Sequence, residues 1–232
     1  GWNLFEPIAT KATKQTLEIL EDHSVLAKGK LPDHDEYNVQ VEIQSGTFSH
    51  IRIEALQHAS LPSGGLSRVK GGNFVLTDFK MILERAEKEP AELNFKGAKA
   101  TFNQGGLDVG QAIDPKAGSG WGIWPGKQVT QPQTAVFALR EPVTVAKTDR
   151  LVFQLKFNHS AKQHVMGRFR ISATNAKDPG FGSGDLVAAL KTPSAKRTKA
   201  MNDVILSAYI KSDSQLSKLE QEKSDANKRI SD

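Results

Sequence analysis

The chain of 232 residues contains no cysteine. This excludes a disulfide, a thiolate metal site and covalent attachment of a c-type haem within this stretch. It does not set the compartment, because a core of this size needs no covalent staple. No apolar run approaches the roughly 20 residues of a membrane-spanning helix, and no charged segment followed by an apolar one marks a secretory leader. An excess of one charge is also missing. The 31 basic and 26 acidic residues leave a formal +5, mostly interspersed, with lysine thickening only towards the C-terminus. A nucleic-acid surface would need a concentrated basic stripe with aromatics between the charges, so nucleic acid is not an expected partner. The chain opens at Gly1-Trp2 without an initiator Met and is expected to be a piece of something longer.

Catalytic signatures are absent too. His23, His34, His50, His58, His159 and His164 show no metal-binding spacing on a shared helix, and HExxH does not occur. Ser63 in Pro-Ser-Gly-Gly lacks the strand-to-helix setting of a nucleophile elbow, and neither a phosphate loop nor a dinucleotide fingerprint is present. A module without catalytic activity is expected. A carboxylate pair for glycoside hydrolysis depends on spatial separation, which sequence does not display.

What the chain does contain is alternation. Tyr37, Val39, Val41 and Ile43 fall on one face of a strand, with Asn38, Gln40 and Glu42 on the other. Thr16–Leu20 and Ser24–Ala27 form a hairpin across Asp22-His23, and Ile51–Leu56 alternates again. Gly71-Gly72-Asn73-Phe74 opens a landmark strand running to about Glu84, echoed by Met166–Thr174. These two are expected to pair as central strands of one sandwich. Ala91–Phe102, Ala135–Leu139 and Leu151–Phe157 complete about nine strands. With no helical period between them, the fold class is mainly β, an antiparallel β-sandwich or jelly roll.

Two long stretches lack any period. Gln57–Gly72 is rich in Pro and Gly, and Asn103–Lys127 holds seven glycines with Trp121 and Trp124. Loops of this length inside a compact domain tend to carry function. Near Asp185 the period changes: Met201, Val204, Ile205, Ala208 and Tyr209 recur at helical steps. Ser212-Asp213-Ser214 caps a second, thinner stripe of Leu216, Leu219, Ala226 and Ile230. The expected organisation is a sandwich over residues 1–184 and a C-terminal helical extension over 185–232, an αα-hairpin or a broken helix.

Several ordered motifs carry a resemblance. They are Trp2-Asn-Leu-Phe-Glu-Pro7, Ser24–Gly29, Asp35–Val39, Ile51–Leu56, Gly72–Phe79, Gly120-Trp-Gly-Ile123 and His164–Ser172. Together they resemble a module found in the large planctomycete-type cytochrome c proteins, where it is a spacer between domains of unknown function that surround haem domains. The resemblance implies an exported multidomain parent, a periplasmic or extracellular location, and neighbouring domains of that parent as partners. Ala112-Ile-Asp-Pro-Lys-Ala-Gly-Ser-Gly-Trp121 is similar to a signature of discoidin-like, galactose-binding-like sandwiches, with Pro115 in place of the usual Gly and no Thr before Trp121. That second likeness implies a structural calcium, with Asp114 and the nearby Asp108 as ligands.

Sugar recognition needs a flat apolar face and a few planar hydrogen-bonding groups on loops held by a rigid scaffold. Trp124, beside Pro125-Gly126, is the better platform. Trp121 is a second candidate, against its more ordinary reading as a core plug. Arg168 and Arg170 share one strand face and suit a clamp on carboxylates or sulfates of an acidic polysaccharide, or else form a solvated face. His164, Asn73 and Arg68 fall near the same motifs, each also an ordinary turn or capping residue. The function expected is polysaccharide binding through these residues; the rival is a structural spacer with no ligand of its own.

Overall fold

The computed structural model describes residues 1–116, 118–181, 186, 189–190, 192–213, 215–216, 218–219 and 222. The chain divides into two units, Gly1 with Asn3–Phe181, and Trp2 with Gly182–Asp232. The first is a sandwich of antiparallel sheets, as the alternation requires.

Its strands are β1 (Asn3–Leu4), β2 (Glu6–Ala12), β3 (Thr16–Ile19), β4 (Val25–Lys28), β5 (Asp35–Glu42), β6 (Gly46–Ala55), β7 (Val75–Leu76), β8 (Asp78–Glu84), β9 (Ala91–Glu92), β10 (Phe95–Ala100), β11 (Trp121–Gly122), β12 (Gln133–Val145), β13 (Arg150–Phe157) and β14 (Arg168–Thr174). One sheet runs β10-β12-β6-β14-β4-β3, with β1 also paired to β14. The other runs β2-β5-β13-β8-β9, and β11 pairs separately with β7.

Period two decides which side chains meet. Val39, Phe153 and Met81 align across β5, β13 and β8 and are fully buried. Opposite them lie Ile51, Phe137 and Ala173 of β6, β12 and β14. Aromatic rings lock the layers together: Phe79 lies 4.6 Å from Phe137, and Tyr37 stacks on Phe169 at 5.9 Å and 12°. The Tyr37 hydroxyl, whose ionisation burial opposes, donates to the Met166 carbonyl at 2.9 Å and accepts from Gln15 Nε2 at 2.9 Å.

Two expectations are corrected here. The landmark strand and its echo are not paired partners: β8 belongs to the five-stranded sheet and β14 to the seven-stranded one. Their lead-ins do meet, where the Val75 amide donates to the His164 carbonyl at 3.0 Å. Likewise Ala91–Phe102, which the alternation leaves as a strand pair or one bent strand, holds two strands that do not pair with each other: β9 pairs with β8 and β10 with β12. Both differences have one cause. Alternation tells which face of a strand is buried but not which of two layers it joins, since both layers bury one face.

In the second unit, helix α1 spans Lys199–Ser212, capped by Thr198 Oγ1, which accepts from the Met201 amide at 3.3 Å. Asp213 Oδ1 accepts from the amides of Gln215 and Leu216, each at 3.0 Å, starting the next helical residues. Ala226, Ile230 and the expected boundary at 184 to 185 lie outside the described residues. Among the described residues no helix is long and apolar enough to cross a membrane.

Candidate ligand-binding site

The two irregular stretches meet. Gly71 and Gly72 end the first; the Gly71 carbonyl accepts from the Val129 amide at 2.9 Å. Gly72 has φ +75°, and a Cβ there would lie 2.3 Å from the Val129 carbonyl oxygen. A Cβ on Gly71 would lie 3.1 Å from Cζ3 of Trp124. The double glycine therefore has two separate reasons: one residue takes a left-handed conformation in a crowded turn, and the other leaves room for an indole.

From the second stretch, β11 pairs with β7, so Trp121 enters the core and Trp124 emerges beyond it. Trp121 has no exposed surface; its Nε1 donates to the Phe102 carbonyl at 2.9 Å and its ring meets Phe74 edge to face at 5.1 Å. Trp121 is thus corrected from ligand platform to core plug. Trp124 is 37% exposed, with its backbone amide donating to Gln104 Oε1 at 3.1 Å.

Trp124, Asn73, Gln104, His159 and His164 line one open cleft of about 430 Å³, together with Val69, Val75 and Leu107. Asn73 is only 8% exposed, and its carboxamide makes no hydrogen bond among the described residues. The hydrogen bonds fix the two histidine rings in opposite senses. His164 Nδ1 faces two carbonyl oxygens, of Lys162 at 2.8 Å and Ala161 at 3.2 Å, so Nδ1 carries the proton. Its Nε2 is then an acceptor in the neutral ring. His159 Nδ1 instead accepts from the Ala161 amide at 3.1 Å, which leaves Nε2–H as a donor. Burial, and secondarily the positive charge His164 can carry, hold His159 below the ordinary histidine value and favour this neutral form.

The other expected ligands go elsewhere. Arg168 spends its guanidinium on Ser24 Oγ at 2.8 Å, the Gln57 carbonyl at 2.8 Å and the Asp22 carboxylate. Arg170, 3% exposed, donates to Glu54 at 3.1 Å, and Glu54 also takes Arg52 at 3.0 Å. The two arginines do share a face, as spacing requires, but they brace an ion-pair cluster rather than form an open clamp. Arg68 donates to Gln15 Oε1 and to the Gly29 carbonyl, tying its loop to the β4 end. None of these three lines the cleft.

Asp108 Oδ1 caps a short 3-10 turn at the Gly110 amide, 2.8 Å away. Asp114 Oδ1 accepts from the Lys116 amide at 2.8 Å and Ser119 Oγ at 3.1 Å. Calcium takes six to eight oxygens, and among the described residues no group of three or more His, Asp or Glu is arranged to hold a metal. Both carboxylates expected to hold a calcium are engaged in capping turns. Asp114 instead borders a second cleft of about 600 Å³ with Asp78, Lys80, Glu92 and Arg140. There Lys80 is paired with Glu92 at 3.2 Å, and the Phe79 and Phe95 rings are stacked on each other at 5.3 Å. Burial raises the Asp78 carboxyl above its ordinary value.

Gln104, His159 and Gly71 escaped the reading of the sequence as site residues. His159 carries a weak signal, standing five residues before His164 in the turn after β13. Gln104 carries none, being one more polar residue in a stretch without a period.

No family model matches the chain, and no curated protein does. Among solved structures, a mutant of CBM29-2, a family 29 carbohydrate-binding module, is similar over 78% of this chain and 99% of its own, with 13% identity and a TM-score of 0.30.

Proposed function

We propose that this chain is a non-catalytic module that binds polysaccharide, with Trp124 as the platform beneath a sugar ring. One observation carries the reading: a partly exposed indole forms a wall of a cleft whose polar neighbours, Asn73, Gln104, His159 and His164, are planar hydrogen-bonding groups. Sugars present an apolar C–H face and a rim of hydroxyls, and such a cleft matches both. The parent in this proposal is an exported multidomain protein of the planctomycete cytochrome c type, with the module acting in the periplasm or outside the cell. Affinity gels containing soluble polysaccharides test the binding. Retardation on at least one polymer supports it, and free migration through every neutral and anionic polymer refutes it.

A second reading, docking onto neighbouring domains, is favoured by helix α1, where Leu206 and Tyr209 are exposed although apolar. Under that reading Trp124 is covered in the full-length protein, and its fluorescence does not respond to sugars.

A further inference from the structure

We infer that the Trp124 cleft selects uncharged sugar units and discriminates against uronic acids and amino sugars. The inference rests on the polysaccharide-binding reading and goes beyond it by naming the ligand class. Among the described residues no Lys, Arg, Asp or Glu lines the cleft. A carboxylate entering it would exchange water for amide and imidazole groups without meeting a lysine or arginine, and an ammonium would do the same without meeting a carboxylate. The histidine pair sharpens this. His164 Nε2 accepts and His159 Nε2–H donates, each fixed by main-chain contacts on the opposite nitrogen. A hydroxyl gives one hydrogen bond and takes others, so it satisfies both rings. A carboxylate only accepts and would set its lone pairs against that of His164; an ammonium only donates and would oppose the His159 proton. The charged pair next to these turns, Lys162 with Asp33 at 2.8 Å, is closed on itself, and His34 is directed at the His159 carbonyl at 3.0 Å. The basic residues expected to favour an acidic polymer, Arg168, Arg170 and Arg68, are tied into the scaffold.

The test is affinity electrophoresis at pH 7.5 on a neutral β-glucan, a galactomannan and an arabinoxylan, beside alginate, polygalacturonate and a soluble aminoethyl cellulose, whose alkylammonium groups stay charged at this pH. The quantity read is retardation of the wild type minus that of Trp124→Ala, which subtracts attraction of polyanions to the surface charge. The expected result is Trp124-dependent binding to at least one neutral polymer, at least tenfold tighter than to any charged one. Trp124-dependent binding to alginate or polygalacturonate as tight as to the neutral polymers overturns the selectivity and leaves polysaccharide binding standing. Absence of Trp124-dependent binding to all six overturns both.

Discussion

Replacing Trp124 by Ala removes the one large apolar surface of the cleft that reaches solvent. The residue is 37% exposed; taking a whole Trp as roughly 250 Å², a sugar ring can cover at most about 90 Å² of it. At about 25 cal/mol per Å² that is about 2 kcal/mol, or roughly a thirtyfold rise in Kd. The figure is a ceiling, since a ring seldom covers every exposed atom. Trp124→Phe keeps a smaller platform and is expected to lose about fivefold. Isothermal titration with the best neutral polymer measures both variants, and thermal melts check that the fold survives. Fluorescence offers an independent signal. Trp121 is fully buried and Trp2 nearly so, so a ligand-induced emission shift belongs to Trp124 and vanishes in the Ala variant. Binding by Trp124→Ala within threefold of wild type refutes the platform.

Gly72→Ala is expected to cost about 3 kcal/mol or more in urea unfolding, from the left-handed backbone and the 2.3 Å approach to the Val129 carbonyl. Glu54→Ala removes the carboxylate shared by the buried Arg52 and Arg170 and is expected to cost about 3–5 kcal/mol, while a loss under 1 kcal/mol, on the order of a surface pair, would mean the cluster is solvated. Asp22 is expected to contribute to acid stability. Its burial raises the carboxyl, but hydrogen bonds from Ser24 and the charge of Arg168 outweigh this and hold it below the ordinary value. A depressed folded value gives stability that is full above the unfolded pKa of about 3.9 and fades as pH falls through the folded one. Asp22→Asn should therefore flatten the acid limb of a stability profile below about pH 4.

The strands were legible where one face is polar. Tyr37–Ile43 and Leu151–Phe157 show their burial in alternation, and the structure places them side by side in β5 and β13. Layer membership was not legible, because inward faces of both sheets read alike. In the site, Trp124 was recognisable from its Pro-Gly surroundings, whereas Gly71 read only as the opening of a strand. The fates of Arg168 and Arg170 were hidden. Spacing put them on one face, but their partners Asp22 and Glu54 come from β-strands and turns more than a hundred residues away in sequence. Single-residue chemistry names what a side chain can do; only the pairing of distant strands decides what it does.

Strand β1 closes on β14, with Asn3 opposite Ala173 and Leu4 opposite Ser172. During vectorial synthesis, then, the opening residues leave the ribosome roughly 170 residues before their partner exists. Until that partner emerges, β1 has no strand to pair with, although β2 beside it can already pair with β5, and the β14 slot beside β6 is an open edge. Assembly of this module is consequently a late and collective event, and a nascent chain stalled before residue 168 should be held by chaperones rather than partly assembled.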